Sequence, residues 1–321
     1  MATLYAYVGA PSFIGAVEPR LEAAGFKRVQ DVASASLVVT FCTSQTSLED
    51  VYFGDDGLVT MMAPGSVLID LSATTPNFAR EVNAVATVND LLMIEAPLMV
   101  RSLVADPAFG CDNLVAPLAC EGTVPDEARA LLETVFGEVR EVGAPGAAQL
   151  VRAGHTLELA AHLVSAIEAE ALKDAVARSV GTGGKLDVRL GGDGAADPVV
   201  RAVREKRFSG AYTVEMLLAE LSSALMAADD AELILPQAEA MMHLLELLAV
   251  IGGADMAPAA LTLIYHEEEV GAENGLDWTR AEQAYGGGDH DHDEDWDDFG
   301  DDGRGFDDGY DDFEHFDFSH N

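Results

Sequence analysis

Basic side chains, cysteines and long apolar runs are all scarce in this chain of 321 residues. Only 18 residues are Lys or Arg against 56 Asp and Glu, which gives a formal net charge of -38. Nucleic acids and anionic membranes are bound through Lys and Arg, so we expect neither as a partner. The three cysteines show no paired spacing, and neither a signal peptide nor an apolar stretch of roughly 20 residues is evident. We therefore expect a cytoplasmic protein without a disulfide framework.

The negative charge is concentrated near the C-terminal end of the sequence. Residues 286–321 contain 15 Asp and Glu against the single Arg304, with four of the eight histidines and seven of the 22 aromatic residues. Because its charges repel one another and it lacks an aliphatic core, we expect this segment to be a disordered acidic tail. It is a candidate for contacting a protein partner or for loosely binding a divalent metal, or it serves only to keep the protein soluble.

The whole chain is 49% hydrophobic, and its length is enough for more than one folded domain. In residues 1–145, short apolar runs alternate with helical patterns, which predicts a parallel sheet covered on both faces. From 146 onward the pattern is helical only, beginning with one long helix at 147–178 and interrupted by a glycine-rich stretch at 181–194. The expected strands lie at residues 4–8, 37–41, 67–71, 91–95, 113–117 and 138–142, and the later helices at 211–228, 232–250 and 256–269.

This order predicts an α/β protein with three parts. A shortened Rossmann-like domain occupies residues 1–145, an all-α domain for dimerisation and substrate binding occupies 146–285, and the acidic tail occupies 286–321. The turn between the first strand and helix, Gly9 to Gly15, is where such a fold holds a pyrophosphate. It lacks the G-x-G-x-x-G spacing, because Pro11 and Ser12 stand where a central glycine is expected. A proline in the first turn of an ordinary helix explains the same residues.

Residues 53–98 carry a more specific pattern, which resembles the β-hydroxyacid dehydrogenase family. That family includes 3-hydroxyisobutyrate dehydrogenases and relatives of 6-phosphogluconate dehydrogenase. Its D-A-P-V element resembles EAPL at 95–98, and its glycine-rich entry into the long helix resembles GAPGAAQ at 143–149. The remaining matching positions are Gly54, Gly57, Leu58, Pro64, Gly65, Asp70, Ser72 and Pro76.

The resemblance implies NAD or NADP as cofactor, a small substrate, and a homodimer formed through the helical domain. It places Arg152 where the family has its catalytic lysine and His155 near the family asparagine, so these two are the candidate catalytic residues. A guanidinium donates hydrogen bonds but is not a general base, whereas an imidazole titrates near neutrality. The candidate substrate-binding residues are Met99, Val100, Arg101 and Gln149, of which the first three replace the family's S-G-G. The candidate cofactor-binding residues are Gly9, Ala10, Ser12, Phe13, Ile14, Asp31, Cys42, Thr43, Ser72 and Thr74.

One spacing departs from an ordinary dinucleotide-binding domain. Residues 26–30 are the expected second strand of the domain, and Asp31 follows them. At this position a dinucleotide-binding domain has an acidic residue that binds the ribose. Only residues 32–36 separate Asp31 from the strand at 37–41, whereas a parallel crossover takes at least about 10 residues. We therefore expect one βα unit to be missing and the adenosine side of the site to be shallow.

Two functions remain open from the sequence. The first is an NAD(P)-dependent oxidoreductase acting on a small hydroxy, carbonyl or imine substrate held near Arg152. The second is a catalytically inactive relative that serves as a binding or scaffold module, with the tail recruiting a partner. Arg152 and His155 are also placed to pair with acids such as Glu158, and a salt-bridged face explains His155, Glu158 and His162 better than a metal site does. No metal site is expected.

Overall fold

The computed structural model describes residues 2–179 and 197–285, so the predicted glycine-rich interruption and the acidic tail lie outside it. Within the described residues, eight strands form one sheet. They are β1 (Thr3–Gly9), β2 (Phe26–Arg28), β3 (Leu37–Phe41), β4 (Val67–Asp70), β5 (Leu92–Glu95), β6 (Met99–Val100), β7 (Leu114–Cys120) and β8 (Glu138–Gly143).

The sheet is parallel over most of its width, in the order β2-β1-β3-β4-β5-β7, with β6 and β8 both pairing with β7. The strands β1 to β5 run parallel, and β8 is parallel to β7. The exception to the sequence expectation is β7, which is antiparallel to both β5 and β6. Apolar runs alone do not distinguish the two directions, because a strand buried on both faces has no alternation to show.

Helices cover both faces of the sheet, as the continuous apolar strands predict. Along β3, Leu37 and Val39 pack into one core together with α1 and α5, whereas Val38 packs into a second core with α2, α3 and α4. Alternate side chains of a strand point to opposite faces, which accounts for this division. The five helices are α1 (Pro11–Ala23), α2 (Gln45–Phe53), α3 (Leu58–Met61), α4 (Pro76–Val88) and α5 (Asp126–Val135).

The missing βα unit is confirmed. Only a short 3-10 turn, Val32–Ser34, lies between β2 and β3, and β2 is left as a three-residue strand at the edge of the sheet. In its place β3 pairs directly with β1, with Tyr5 opposite Leu37. The sheet therefore ends at β2, whereas a full Rossmann domain has a further strand beyond this position.

The C-terminal part is helical, and its first helix, α6 (Ala147–Ser179), agrees with the expected long helix to within one residue. Its core is continuous with the core on the α1 side of the sheet. The others are α7 (Pro198–Arg204), α8 (Val214–Asp230), α9 (Pro236–Leu248), α10 (Glu268–Glu273) and α11 (Thr279–Tyr285).

Two of the helical predictions need correction. The helix expected at 256–269 is a 3-10 helix, Pro258–Tyr265, which ends before α10 begins at Glu268. No proline or glycine lies between Tyr265 and Glu268, so the helical periodicity of the sequence predicted one continuous helix. The helix expected at 232–250 begins only at Pro236 and passes into a π-helical turn that ends beyond Gly252, whose φ of 111° suits glycine.

Among the described helices, no single one is long and apolar enough to cross a membrane. One bent pair, Pro236–Gly253 with Pro258–Tyr265, passes the length and composition test when its two parts are taken together.

We predict that Gly9→Ala is strongly destabilising, by about 2–4 kcal/mol. Gly9 has φ 135°, and an added Cβ would lie 2.0 Å from the carbonyl oxygen of Phe41 on the neighbouring strand. Urea unfolding followed by circular dichroism measures the loss. The matched control is Gly15→Ala in α1, where nothing lies within 4 Å of the added methyl group. That control should gain about 0.5–1 kcal/mol from helix propensity, and equal stability of the two variants would contradict the prediction.

Candidate functional site between the sheet edge and the helical domain

Buried polar side chains join the carboxyl ends of β3 and β4. Asp70 Oδ1 accepts hydrogen bonds from the Ser72 amide at 2.9 Å and from Thr40 Oγ1 at 3.0 Å. Ser72 Oγ in turn accepts from the Cys42 amide at 2.9 Å. Burial raises the pKa of Asp70 to about 6, although these hydrogen bonds oppose the shift. The turns that follow the two strands are therefore fixed to each other.

Glu95, at the end of β5, holds the beginning of α6. Its Oε2 accepts from the Gly146 amide at 2.5 Å and its Oε1 from the Gln149 amide at 2.6 Å. An anion at a helix N-terminus satisfies amides that have no partner within the helix and faces the positive end of the helix dipole. Burial raises the pKa of Glu95, and the amide hydrogen bonds partly offset that rise.

Gln149 continues this polar layer from α6 to the sheet edge. Its Nε2 donates to the Ser72 carbonyl at 2.9 Å, and its Oε1 accepts from the Thr74 amide at 3.1 Å and from Arg152 Nε at 2.9 Å. The side chain of Gln149 is fully buried. It joins the turn after β4 to the long helix and does not line the cleft described below.

Arg152 lies one turn further along α6 and is also fully buried, with 0% exposure. Besides Gln149, its guanidinium donates to Ser223 Oγ at 2.7 Å, to the Glu220 carbonyl at 3.1 Å and to the Thr74 carbonyl at 3.3 Å. The expectation that a substrate is held directly over Arg152 needs revision, because these contacts leave the guanidinium behind the wall of the cleft. It connects α6, α8 and the turn after β4.

Glu220 of α8 lines a small inner cavity next to the cleft described below. Its carboxylate accepts from the Tyr212 hydroxyl at 2.8 Å and from Thr156 Oγ1 at 2.8 Å. Burial raises the pKa of Glu220, while the charge of Arg152, these two hydrogen bonds and nearby His155 lower it again in part. The net direction is upward, so the carboxyl group holds its proton more tightly than an exposed glutamate does.

A cleft of about 340 Å³ separates the sheet edge from α8 and α9. This is within the size range of small-molecule sites. A small inner cavity of about 10 Å³, room for one water molecule at most, shares Thr43, Ala73 and Ala219 with the cleft and ends at Glu220. The outer cleft is lined by Thr43, Ser44, Gln45, Ala73, Glu215, Leu218, Ala219, Ser222, Ser223, Met226, Met242 and Glu246.

The residues that replace the family's S-G-G, at positions 99–101, do not line the cleft. Met99 and Val100 are buried in β6, and Arg101 turns to the surface, where it forms a salt bridge with Glu138 at 2.6 Å. His155 Nε2 lies 2.8 Å from the Val100 carbonyl oxygen, so the candidate proton carrier is hydrogen-bonded to the backbone of β6. None of these four lines the cleft. A strand in place of a flexible glycine loop accounts for the difference.

The glycine turn keeps part of a phosphate-binding geometry. Ala10 donates its amide to the Phe41 carbonyl at 2.9 Å and provides no side-chain cap, and Pro11 has no amide to donate. The amides of Ser12 and Phe13, in the first turn of α1, have no acceptor within a helix and remain for an anion. Ser12 is exposed, whereas the side chains of Phe13 and Ile14 are buried in the core.

The shallow adenosine side expected from the spacing stays a prediction. Asp31 is exposed, and its carboxylate accepts from the Ala33 amide at 3.2 Å in the 3-10 turn. Cys42, Ser72 and Thr74 are buried after the ends of β3 and β4, and Thr43 lines the cleft. The residues present therefore fit the nicotinamide and pyrophosphate portions of a dinucleotide and give the adenosine portion little enclosure.

No group of three or more His, Cys, Asp or Glu side chains within 2–179 and 197–285 is arranged to hold a metal ion. His162, which shares a face with His155 and Glu158, lies 3.4 Å from Asp197 instead.

Known proteins match this arrangement in sequence and in fold. A family model for the NAD binding domain of 6-phosphogluconate dehydrogenase matches residues 15–99, and the NAD-dependent L-serine dehydrogenase of Pseudomonas aeruginosa is 25% identical over 235 residues, 70% of this chain and 76% of that protein. These matches support a member of the β-hydroxyacid dehydrogenase family. The family match begins at residue 15, just after the altered glycine turn.

Two further relatives agree with this family. The 3-hydroxyisobutyrate dehydrogenase of Pseudomonas aeruginosa is 28% identical over 159 residues, half of this chain and 52% of that protein. The structure of Mycobacterium tuberculosis 3-hydroxyisobutyrate dehydrogenase with L-serine has a TM-score of 0.60 at 19% identity, covering 83% of this chain and 100% of that one. The structural likeness supports the Rossmann-like domain followed by a helical domain.

Glu220 was not among the candidate site residues predicted from the sequence. Tyr212 and Thr156, which bind its carboxylate, carried no signal, because they lie 8 and 64 residues away in sequence. A glutamate in an otherwise apolar helical stretch was the one indication available.

We predict that Asp70→Asn removes a pH-dependent loss of stability. Because the folded-state pKa of about 6 exceeds the ordinary 3.8, the folded protein binds the proton more tightly than the unfolded chain. The resulting stabilisation is complete below about pH 4 and is lost as the pH rises through 6, a change of about 3 kcal/mol. Urea unfolding from pH 4 to 8 should show the wild type losing this amount relative to Asp70→Asn. Exposed Asp56→Asn is the control, and parallel pH curves for wild type and Asp70→Asn would contradict the prediction.

Proposed function

We propose that this protein is an NAD(P)-dependent oxidoreductase acting on a small hydroxy or carbonyl substrate, or an imine, in the cleft between the sheet edge and α8. The observation that carries the proposal is the Glu220 carboxyl group, which Tyr212 and Thr156 hold beside the inner cavity next to that cleft. Reduction of a carbonyl or imine requires a proton donor near the reacting atom, and a buried carboxylic acid suits that role near neutral pH.

NAD or NADP would be held by the turn that follows β1 and by the ends of β3 and β4. The first-turn amides of Ser12 and Phe13 would bind the pyrophosphate, and Gly9 allows close approach of the backbone. Thr43 and Ala73 would lie beside the nicotinamide at the inner part of the cleft. The bound nicotinamide supplies or accepts a hydride.

Glu220 exchanges a proton with the substrate oxygen or nitrogen, donating it in reduction and accepting it in oxidation. Tyr212 and Thr156 hold its carboxylate in place, and the proton on the Tyr212 hydroxyl is retained because burial and Glu220 raise the pKa of Tyr212 well above its ordinary value. Arg152, one of the two candidate catalytic residues, is a positioning residue that fixes α8 through the Glu220 carbonyl. His155, the other, lies close enough to lower the pKa of Glu220.

The alternative, a catalytically inactive binding module, is favoured by one observation. The amide of Ala10 is used by β3 and Pro11 lacks one, so this turn offers an anion fewer donors than a G-x-G-x-x-G turn does. Cofactor binding separates the two functions.

We predict that NADH or NADPH binds with a micromolar dissociation constant and that Ser12→Asp abolishes binding. An acidic residue in the first turn stabilises a helix while repelling the pyrophosphate, so loss of binding would not reflect unfolding. Nucleotide fluorescence measures the affinity. The control is Gln237→Asp, which adds the same charge at the position after the first-turn proline of α9 and lines a separate pocket. Absence of binding at millimolar NADH and NADPH would eliminate the oxidoreductase in favour of the binding module.

We also predict that Glu220→Gln lowers kcat for reduction by about 10²–10⁴-fold with little change in KM. In the wild type, kcat for reduction should fall as the pH rises through the elevated pKa of Glu220, since only the protonated form donates. The groups facing Glu220 that tune this pKa are Arg152, Tyr212, Thr156 and His155. Because glutamine does not titrate, the fall in kcat at alkaline pH should disappear in Glu220→Gln. In Glu220→Asp part of this pH dependence should remain. An unchanged pH profile in Glu220→Gln would assign the proton to another group.

Partner and location follow from further features. Four apolar side chains of the helical domain, Leu150, Leu172, Leu233 and Ile234, are between 55% and 78% exposed, which supports a homodimer formed through this domain. The three cysteines are free, which supports a reducing compartment such as the cytoplasm. The acidic tail remains a candidate for contacting a protein partner or a divalent metal.

A further inference from the structure

The charges that line the cleft are all of one sign. Glu215 and Glu246 lie at its outer part, whereas none of the described lining residues is Lys, Arg or His. A cleft lined by a single sign of charge concentrates ligands of the opposite sign and repels those of the same sign. Carboxylate-bearing ligands are therefore placed at a disadvantage throughout this cleft.

The nearest cation does not correct this imbalance. The guanidinium of Arg152 is fully buried behind Ser223, and its charge faces Glu220 and Glu95. A substrate carboxylate would have to displace Ser223 to reach it, and the bidentate geometry with which Arg grips carboxylates is taken up by carbonyl and side-chain oxygens. His243 lies 3.0 Å from Glu246 and reduces the charge at that one carboxylate when protonated.

The rest of the wall is apolar or weakly polar. Leu218, Met226 and Met242 form an apolar side, and methionine adapts to ligands of varied shape. Ser222, Thr43 and Gln45 offer oxygen atoms that accept hydrogen bonds from an ammonium group. An alkyl chain that ends in an amine matches both kinds of surface.

We propose that the cleft selects substrates that carry an amine and discriminates against those that carry a carboxylate. This inference rests on the proposed oxidoreductase function, and it names the charge of the substrate. The reacting alcohol or carbonyl, or the imine, would lie at the inner part of the cleft beside Thr43 and Ala73, one water molecule away from Glu220. The ammonium group would lie toward Glu215 and Glu246 at the outer part of the cleft.

The test compares three alcohols that share a four-carbon chain with a hydroxyl at the same carbon: 4-amino-2-butanol, 1,3-butanediol and 3-hydroxybutyrate. Binding to the full chain is measured by calorimetry with and without NAD or NADP, and oxidation is measured separately by nucleotide absorbance. We expect the amino alcohol to bind at least about tenfold more tightly than the hydroxy acid, with the diol between them. In the double variant Glu215→Gln and Glu246→Gln, this ratio should fall to about threefold or less. Glu239→Gln, an exposed acid of α9 outside the cleft lining, should leave it unchanged.

The binding and turnover measurements separate the two proposals. Preference for the amino alcohol without oxidation of any compound would support the inference while removing the oxidoreductase function. Oxidation with equal or tighter binding of 3-hydroxybutyrate would overturn the inference and leave the oxidoreductase function intact. An unchanged preference in the double variant, or failure of all three compounds to bind, would also overturn it.

Discussion

The burial of Arg152 is the constraint on which the rest of the site depends. A guanidinium taken out of water costs several kcal/mol unless its donors are bonded and its charge is balanced. Here Gln149, Ser223 and the carbonyls of Thr74 and Glu220 supply the acceptors, and Glu220 and Glu95 supply the opposing charge. Because these partners come from the sheet edge, α6 and α8, satisfying one side chain fixes the relative positions of three elements.

Arg152 stands where the resembling family has its catalytic lysine, and its burial determines what the arginine contributes at that position. A lysine has one nitrogen on a flexible chain and shifts its pKa readily, so it suits proton transfer, whereas arginine stays charged and offers several donors in a fixed plane. In this protein the planar group connects elements, and the titratable role passes to a neighbour. Glu220 is buried against the same guanidinium, which keeps its raised pKa from rising further. In the proposed mechanism, the positioning group and the group that exchanges the proton are thus two different residues.

The sequence predicted the fold more closely than the site. The strands at 37–41 and 67–71 and the helix at 147–178 were located nearly to the residue, because buried runs and helical periodicity are local properties. The missing βα unit was predicted from chain length alone. The sequence did not predict that Arg152 is buried and that Arg101 lies at the surface. Each position depends on a partner far away in sequence, which is Ser223 for Arg152 and Glu138 for Arg101.

The same reasoning explains why the overall net charge said little about the substrate. Most of the 56 acids lie on the surface or in the tail, where solvent and salt screen them. Glu215 and the Glu246 carboxylate are also exposed, but they line one cleft together and act on a ligand there at short range. The proposed preference for amines depends on the position of the Arg152 guanidinium behind Ser223, which leaves the described lining of the cleft with acids and no cation. A single buried arginine therefore links the packing of the two domains to the charge of the ligand that fits between them.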